Sequence, residues 1–176
     1  MKAMIRDRIR VLVGDITTLD VDAIVNAAKP TLLGGGGVDG AIHKAAGPEL
    51  LEACRKLNGC PTGQAKMTPG FRLKATHIIH TVGPVYSGGE SGEPELLRGC
   101  YENSMTLARD HQIKTIGFPC ISTGIYGYPK TDACKIAINV VINWLEANEF
   151  PENVLFCCFD PGDAKIYEEE LARGHF

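Results

Sequence analysis

The 176-residue chain has no apolar run long enough to span a bilayer, which takes roughly 20 residues. Its first residues, Met1 to Arg8, lack the apolar core of a secretory signal. A cytoplasmic protein with no membrane partner is expected. The seven cysteines are odd in number, irregularly spaced and without a Cys-x-x-Cys, which argues against a disulfide framework and a zinc cage. They read as small core hydrophobes. A basic excess is missing too: 18 Lys and Arg against 21 Asp and Glu leave a net charge of −3. With no basic stripe interleaved with aromatics, no nucleic-acid partner is expected. The absence of Gly-Lys-Ser or Gly-Lys-Thr excludes a P-loop nucleotide hydrolase. No Gly-x-Gly-x-x-Gly follows the first strand, which counts against a dinucleotide redox fold. No repeat, linker or low-complexity segment interrupts residues 1–176, so a single domain with a sizeable core is expected.

What the chain does have is glycine. Four stand in a row, Gly34 to Gly37, and pass into Val38-Asp39-Gly40-Ala41-Ile42-His43. Such a run loses backbone entropy on folding and suits places where backbone presses close to something or adopts positive φ. Feeding a helix start, it presents unpaired N–H groups and a positive dipole end to an anion. Asp39 stands at that junction, either to act on what the loop holds or simply to favour the helix dipole. His43, four residues on, shares its helix face and is either a support for the site or a structural histidine.

The remaining pattern alternates strands and helices. Strands are predicted at 9–13, 23–26, 65–68, 77–82, 115–118 and 154–159, and helices at 38–46, 49–57, 95–110 and 131–147. A last helix opens with Asp160 as N-cap and Pro161 at its first position. Residues 87–92 read as a flexible polar loop. Cys157 and Cys158 should face opposite sides of their strand, and so should His77 and His80, which removes the pair as a metal site. Trp144 reads as core, the Glu168–Glu170 run as a solvated helix face, and His111 and His175 as surface. Strands apolar on both faces indicate an α/β domain with helices covering a mixed sheet. Ligands in such sheets bind at the carboxyl ends of the strands. Gly14-Asp15, both glycine loops and Phe159-Asp160 all follow strands and converge on that edge.

Two anion-friendly loops on one edge suit a diphosphate. Asp15 is a candidate acceptor for an exocyclic amine, as adenine offers. Phe159 is placed either to stack on that base or to close the core at a strand end. Tyr126 is a candidate clamp over the ligand, and Tyr128 reads as packing.

Gly14-Asp15-Ile16-Thr17, Val21 to Ala28, Gly34 to His43, His80-Thr81-Val82-Gly83-Pro84 and Ile121 to Gly127 together resemble a macrodomain. More narrowly, they resemble the MacroD-type branch, which removes ADP-ribose from acidic side chains and deacetylates O-acetyl-ADP-ribose. The resemblance runs from Ile9 to Tyr167. It implies a three-layer α/β/α fold with ADP-ribose in a deep cleft. Asp15 and Ile16 would hold the adenine, with Phe159 packed on it. Ser122, Thr123, Gly124, Ile125 and Tyr126 would wrap the diphosphate. Gly36, Gly37, Val38 and Asp39 would line the distal ribose, and Asn26 would belong to the same ligand-binding set. No metal or cofactor is implied; the partners would be ADP-ribose, O-acetyl-ADP-ribose and mono-ADP-ribosylated proteins. Chemistry would be hydrolysis by a bound water, with either Asp39 or the ligand's own phosphate as base and His43 in support.

One position departs from the family pattern. Where the family reads Asn-Ala-Ala-Asn, this chain reads Asn26-Ala27-Ala28-Lys29. The second Asn of the family bonds the distal ribose, whereas Lys29 carries donors and no acceptor. It is placed either to reach Asp39 as an ion pair and lower that acid's basicity or to attract the diphosphate, and a slowed site is one expected outcome. A non-catalytic ADP-ribose reader is the alternative to a hydrolase.

Overall fold

A computed structural model describes residues 3–174; His175 lies outside them. In chain order the elements are α1 (Ala3–Arg6), β1 (Ile9–Val13), β2 (Ala23–Ala27), α2 (Gly37–Ala46), α3 (Pro48–Arg55), β3 (Ala65–Pro69), β4 (His77–Thr81), α4 (Glu93–Asp110), β5 (Thr115–Phe118), α5 (Lys130–Ala147), β6 (Asn153–Cys158) and α6 (Pro161–Arg173). A single 3₁₀ turn, Ile16–Thr18, follows β1. Among the described residues no helix is long and apolar enough to cross a membrane.

The six strands form one sheet in the order β1-β6-β5-β2-β4-β3. All neighbours pair in parallel except β3, which runs antiparallel along β4 at the edge. Alternate strand residues face opposite sides, so the sheet carries two cores. Val25, Ile79, Phe118 and Phe156 pack under α4, α5 and α6 against Leu97, Met105, Ile138 and Leu171. On the other face Ile24 and Ile78 meet Ile42, Leu50 and Cys54 of α2 and α3. The three-layer α/β/α arrangement follows. Cys157 joins the second core and Cys158 the first, as strand alternation requires.

Local rules set the helix ends. Gly47, at φ 92°, ends α2, and Pro48 opens α3. Asp160 caps α6 through Oδ1, which accepts from the Gly162 amide at 2.6 Å. Two expectations need correction. Glu170 is buried and paired with Arg173 at 3.1 Å, because it lies one turn after Tyr167 and beside Leu171 on the packed side of α6 rather than on the open face of Glu168 and Glu169. Trp144 is only half-buried: its Nε1 donates to the Phe150 carbonyl at 3.0 Å, and the Arg109 guanidinium lies 5.1 Å over its ring. An indole at the core margin keeps its N–H satisfied in this way.

Candidate active site

The sheet order decides which turns become neighbours. The turns after β1, β6, β5 and β2 lie side by side at the carboxyl edge, carrying Asp15, Phe159, Ser122–Tyr126 and Gly34–Asp39 in that order. Three strand spacings of ~4.8 Å place the two ends of this row about 14 Å apart. The exposed apolar residues Val13, Val85, Ile125 and Phe159 stand at or just beyond the carboxyl ends of β1, β4, β5 and β6.

At the first end, Asp15 is exposed while Ile16 is buried. Asp15 Oδ1 accepts from the Thr17 amide at 2.9 Å and from Thr17 Oγ1 at 2.7 Å. Those bonds cap the 3₁₀ turn and fix the carboxylate's direction. Phe159 stands one residue beyond β6 and is 88% exposed, so it does not close the core. Strand pairing stops at Cys158, and the ring is left to solvent.

The middle of the row is the loop between β5 and α5. Ser122 sits at φ 66°, a left-handed conformation uncommon outside glycine. The loop is tied internally by the Tyr128 amide donating to Ser122 O at 2.9 Å and the Gly127 amide to Gly124 O at 3.0 Å. Thr123 Oγ1 donates to Cys120 O at 3.2 Å. Gly124 and Ile125 are exposed and Tyr126 is half-buried. Tyr128 is buried with its ring 4.8 Å from that of Tyr86, a packing residue.

From the side, the Tyr86 amide donates to Tyr126 O at 2.9 Å. The segment that follows Tyr86 was expected to be flexible; it is pinned instead. The buried Glu93 carboxylate accepts from the amides of Ser87 and Gly89 at 2.8 Å and Ser91 at 2.6 Å. These backbone bonds, that from Ser87 foremost, hold its acid well below the usual carboxylate range, at about 2.

At the far end, the glycine run packs on the start of α2. A β-carbon on Gly40 would fall on the Gly35 carbonyl. Gly37 takes φ 57°, and N-cap Gly36 makes no side-chain cap, so the first amides of α2 keep no intrahelical or capping acceptor. Val38 is half-buried against the second core. Asp39 is buried in the first turn of α2. Its Oδ1 accepts from Asn26 Nδ2 at 2.9 Å and lies 3.5 Å from His43 Nε2. Its Oδ2 has no partner. Asn26 is wholly buried behind Asp39.

Lys29 corrects one expectation: no ion pair joins it to Asp39. Its side chain folds over Gly35, where the direction of a β-carbon would meet Lys29 Cε at 2.8 Å, Lys29 Nζ at 3.2 Å and Asp39 Oδ2 at 3.2 Å. The ammonium and Oδ2 thus flank one small space without touching. Glu93 supports this edge, and His80 with Thr68 lies behind Asp39 through Asn26; the sequence singles out neither Glu93 nor Thr68. The one available signal was an acid, Glu93, placed immediately before Pro94 at a helix start.

The Macro domain family model matches residues 25–137. A Macro domain-containing protein of Methanosarcina mazei is 59% identical over 167 residues, covering 95% of this chain and 89% of that protein. The O-acetyl-ADP-ribose deacetylase of Citrobacter rodentium is 51% identical over 170 residues, covering 94% of this chain and 96% of that protein. A Trypanosoma brucei macrodomain solved in complex with ADP-ribose superposes with a TM-score of 0.91 at 43% identity, covering 97% of this chain and 72% of that one.

Proposed function

The chain belongs to the Macro domain family, and on that premise we propose that it is a hydrolase acting at the distal ribose of ADP-ribose. Its substrates are O-acetyl-ADP-ribose and mono-ADP-ribose attached to acidic side chains of proteins. The observation that carries this reading is Asp39: a carboxylate buried in the first turn of α2, held by Asn26 through one oxygen, with the other unpartnered beside Gly35.

In this reading the ligand lies along the sheet edge. Adenine rests between Asp15 and Phe159, the diphosphate meets the amides of Ser122 to Tyr126, and the ribose reaches Gly36 to Asp39. Asp39 Oδ2 takes a proton from a water. The water oxygen attacks the anomeric carbon and releases the carboxylate of the modified Asp or Glu. Alternatively it attacks the acetyl carbonyl; the acyl C–O bond breaks, the sugar oxygen takes the proton held by Asp39 and leaves as a hydroxyl, and acetate forms. The ligand's own phosphate is the competing base, with Asp39 then holding the ribose. A general base contributes roughly 10²–10⁴-fold.

The test is Asp39→Ala, assayed by ADP-ribose titration and by release of ADP-ribose from an Asp- or Glu-linked protein. Turnover is expected to fall by ~100-fold or more with binding retained; unchanged turnover removes Asp39 as the base. A second reading, a reader that retains ADP-ribose without turnover, is favoured by Lys29, whose ammonium borders the space beside Oδ2. Tight retention with no release on the modified protein decides for it.

A further inference from the structure

Behind Asp39 runs a line of buried polar groups that the reaction above leaves unused. Asn26 and His80 are register partners on the parallel strands β2 and β4, so their side chains stand side by side beneath α2. Both are fully buried. Asn26 Nδ2 lies 2.9 Å from Asp39 Oδ1 and 3.1 Å from His80 Nδ1. His80 Nε2 lies 2.9 Å from Oγ1 of the buried Thr68 on β3, and that hydroxyl is 3.1 Å from the Pro69 carbonyl.

One placement of hydrogens fits every contact along the line and leaves Asn26 Oδ1 as the one atom of the amide without a partner. The Pro69 carbonyl only accepts, so Thr68 donates to it and accepts from His80 Nε2–H. His80 Nδ1 then presents a lone pair to Asn26. The two hydrogens of the Asn26 amide go to His80 Nδ1 and to Asp39 Oδ1. A reversed amide would set Asn26 Oδ1 against the carboxylate. The ring stays neutral: burial, and after it the nearby His43, pushes His80 down to about 3. The Cys54 thiol, 3.9 Å from Nε2, stays protonated, pushed up to about 11 by burial and then by Asp39.

We propose that His80, anchored by Thr68, is a positioning residue for the hydrolysis. It fixes the orientation of the Asn26 amide, which engages Asp39 Oδ1 and leaves Oδ2 as the oxygen offered to the attacking water. The inference rests on Asp39 acting in turnover. A carboxylate without that tether rotates about its last bond, and a displacement of about 1 Å in a reacting group is worth ~100-fold in rate.

Thr68→Val removes the acceptor at nearly constant volume, and Thr68→Ser restores it. His80→Phe removes both ring nitrogens, while His80→Asn keeps an acceptor near the Nδ1 position. With O-acetyl-ADP-ribose, Thr68→Val is expected to lower kcat about tenfold or more, with KM and ADP-ribose affinity within about twofold. Thr68→Ser should match the parent, and His80→Asn should exceed His80→Phe. Long-range ¹⁵N–¹H spectra of the parent at neutral pH should show His80 as the Nε2–H tautomer. Unchanged kcat in Thr68→Val, equal losses of kcat and affinity, or an Nδ1–H tautomer would each overturn the proposal. A parent that turns over no substrate sinks the hydrolytic reading instead, and the tautomer then decides whether the Asn26 arrangement stands.

Discussion

Gly83 lies directly beneath Ser122, so close that a β-carbon on Gly83 would collide with Ser122 Oγ and stand 2.8 Å from Ile121 Cγ2. The turn after β4 therefore sets the height of the loop that follows β5. Ser122 holds its left-handed backbone on this floor, with its hydroxyl buried and unpartnered.

Gly83→Ala is expected to push that loop outward. Overpacking of this kind costs about 1–3 kcal/mol, borne by the fold and by the position of the loop. Calorimetric titration should show ADP-ribose affinity falling by about tenfold or more, together with a lower Tm.

Phe159→Ala separates recognition from stability. The ring is 88% exposed, so its removal should leave Tm nearly unchanged. Loss of an aromatic platform under a base costs about 1–3 kcal/mol, read as weaker ADP-ribose binding. Equal affinity in parent and variant would place the adenine elsewhere.

Lys29→Asn addresses the space beside Asp39 Oδ2. Asparagine supplies the acceptor that lysine lacks and clears Cε and Nζ from above Gly35. Turnover of O-acetyl-ADP-ribose should rise, by up to ~100-fold if the gain is one of geometry. An unchanged rate clears Lys29 as a brake.

Glu93→Gln tests the clamp on residues 87–92. The acid is held at about 2 against an ordinary 4.5. A depressed carboxylate stabilises the fold at pH values above the unfolded value, and the contribution fades as pH falls from 4.5 towards 2. The variant should melt below the parent at pH 7, and the gap should narrow across that acid window. Because Tyr86 holds Tyr126, ADP-ribose affinity should weaken in parallel.

The sequence was most legible where chemistry is local. The Asp160-Pro161 helix start, the glycine run before Asp39 and the two-faced Cys157-Cys158 pair follow from neighbours within a few residues. The setting of Asp39 was not legible, because it depends on Asn26, thirteen positions away on β2. His80 enters the sequence reading as part of a family motif and as a rejected metal ligand, with no partner named; its partners Asn26 and Thr68 come from two different strand pairings. Glu93 drew no reading from the sequence, because nothing in its own segment reveals that three amides turn back onto it. Phe159 left stacking and core closure open, and the end of β6 one residue earlier resolves its exposure.

The insertion of β6 between β1 and β5 bears on how the protein is made. Within the sheet β1 pairs only with β6, so a nascent chain on the ribosome carries an unpartnered first strand until residues 153–158 emerge. The turns that carry Asp15 and Phe159 become neighbours only at that step. On the proposed reading, a chain that has not yet paired β6 with β1 has no place to hold adenine.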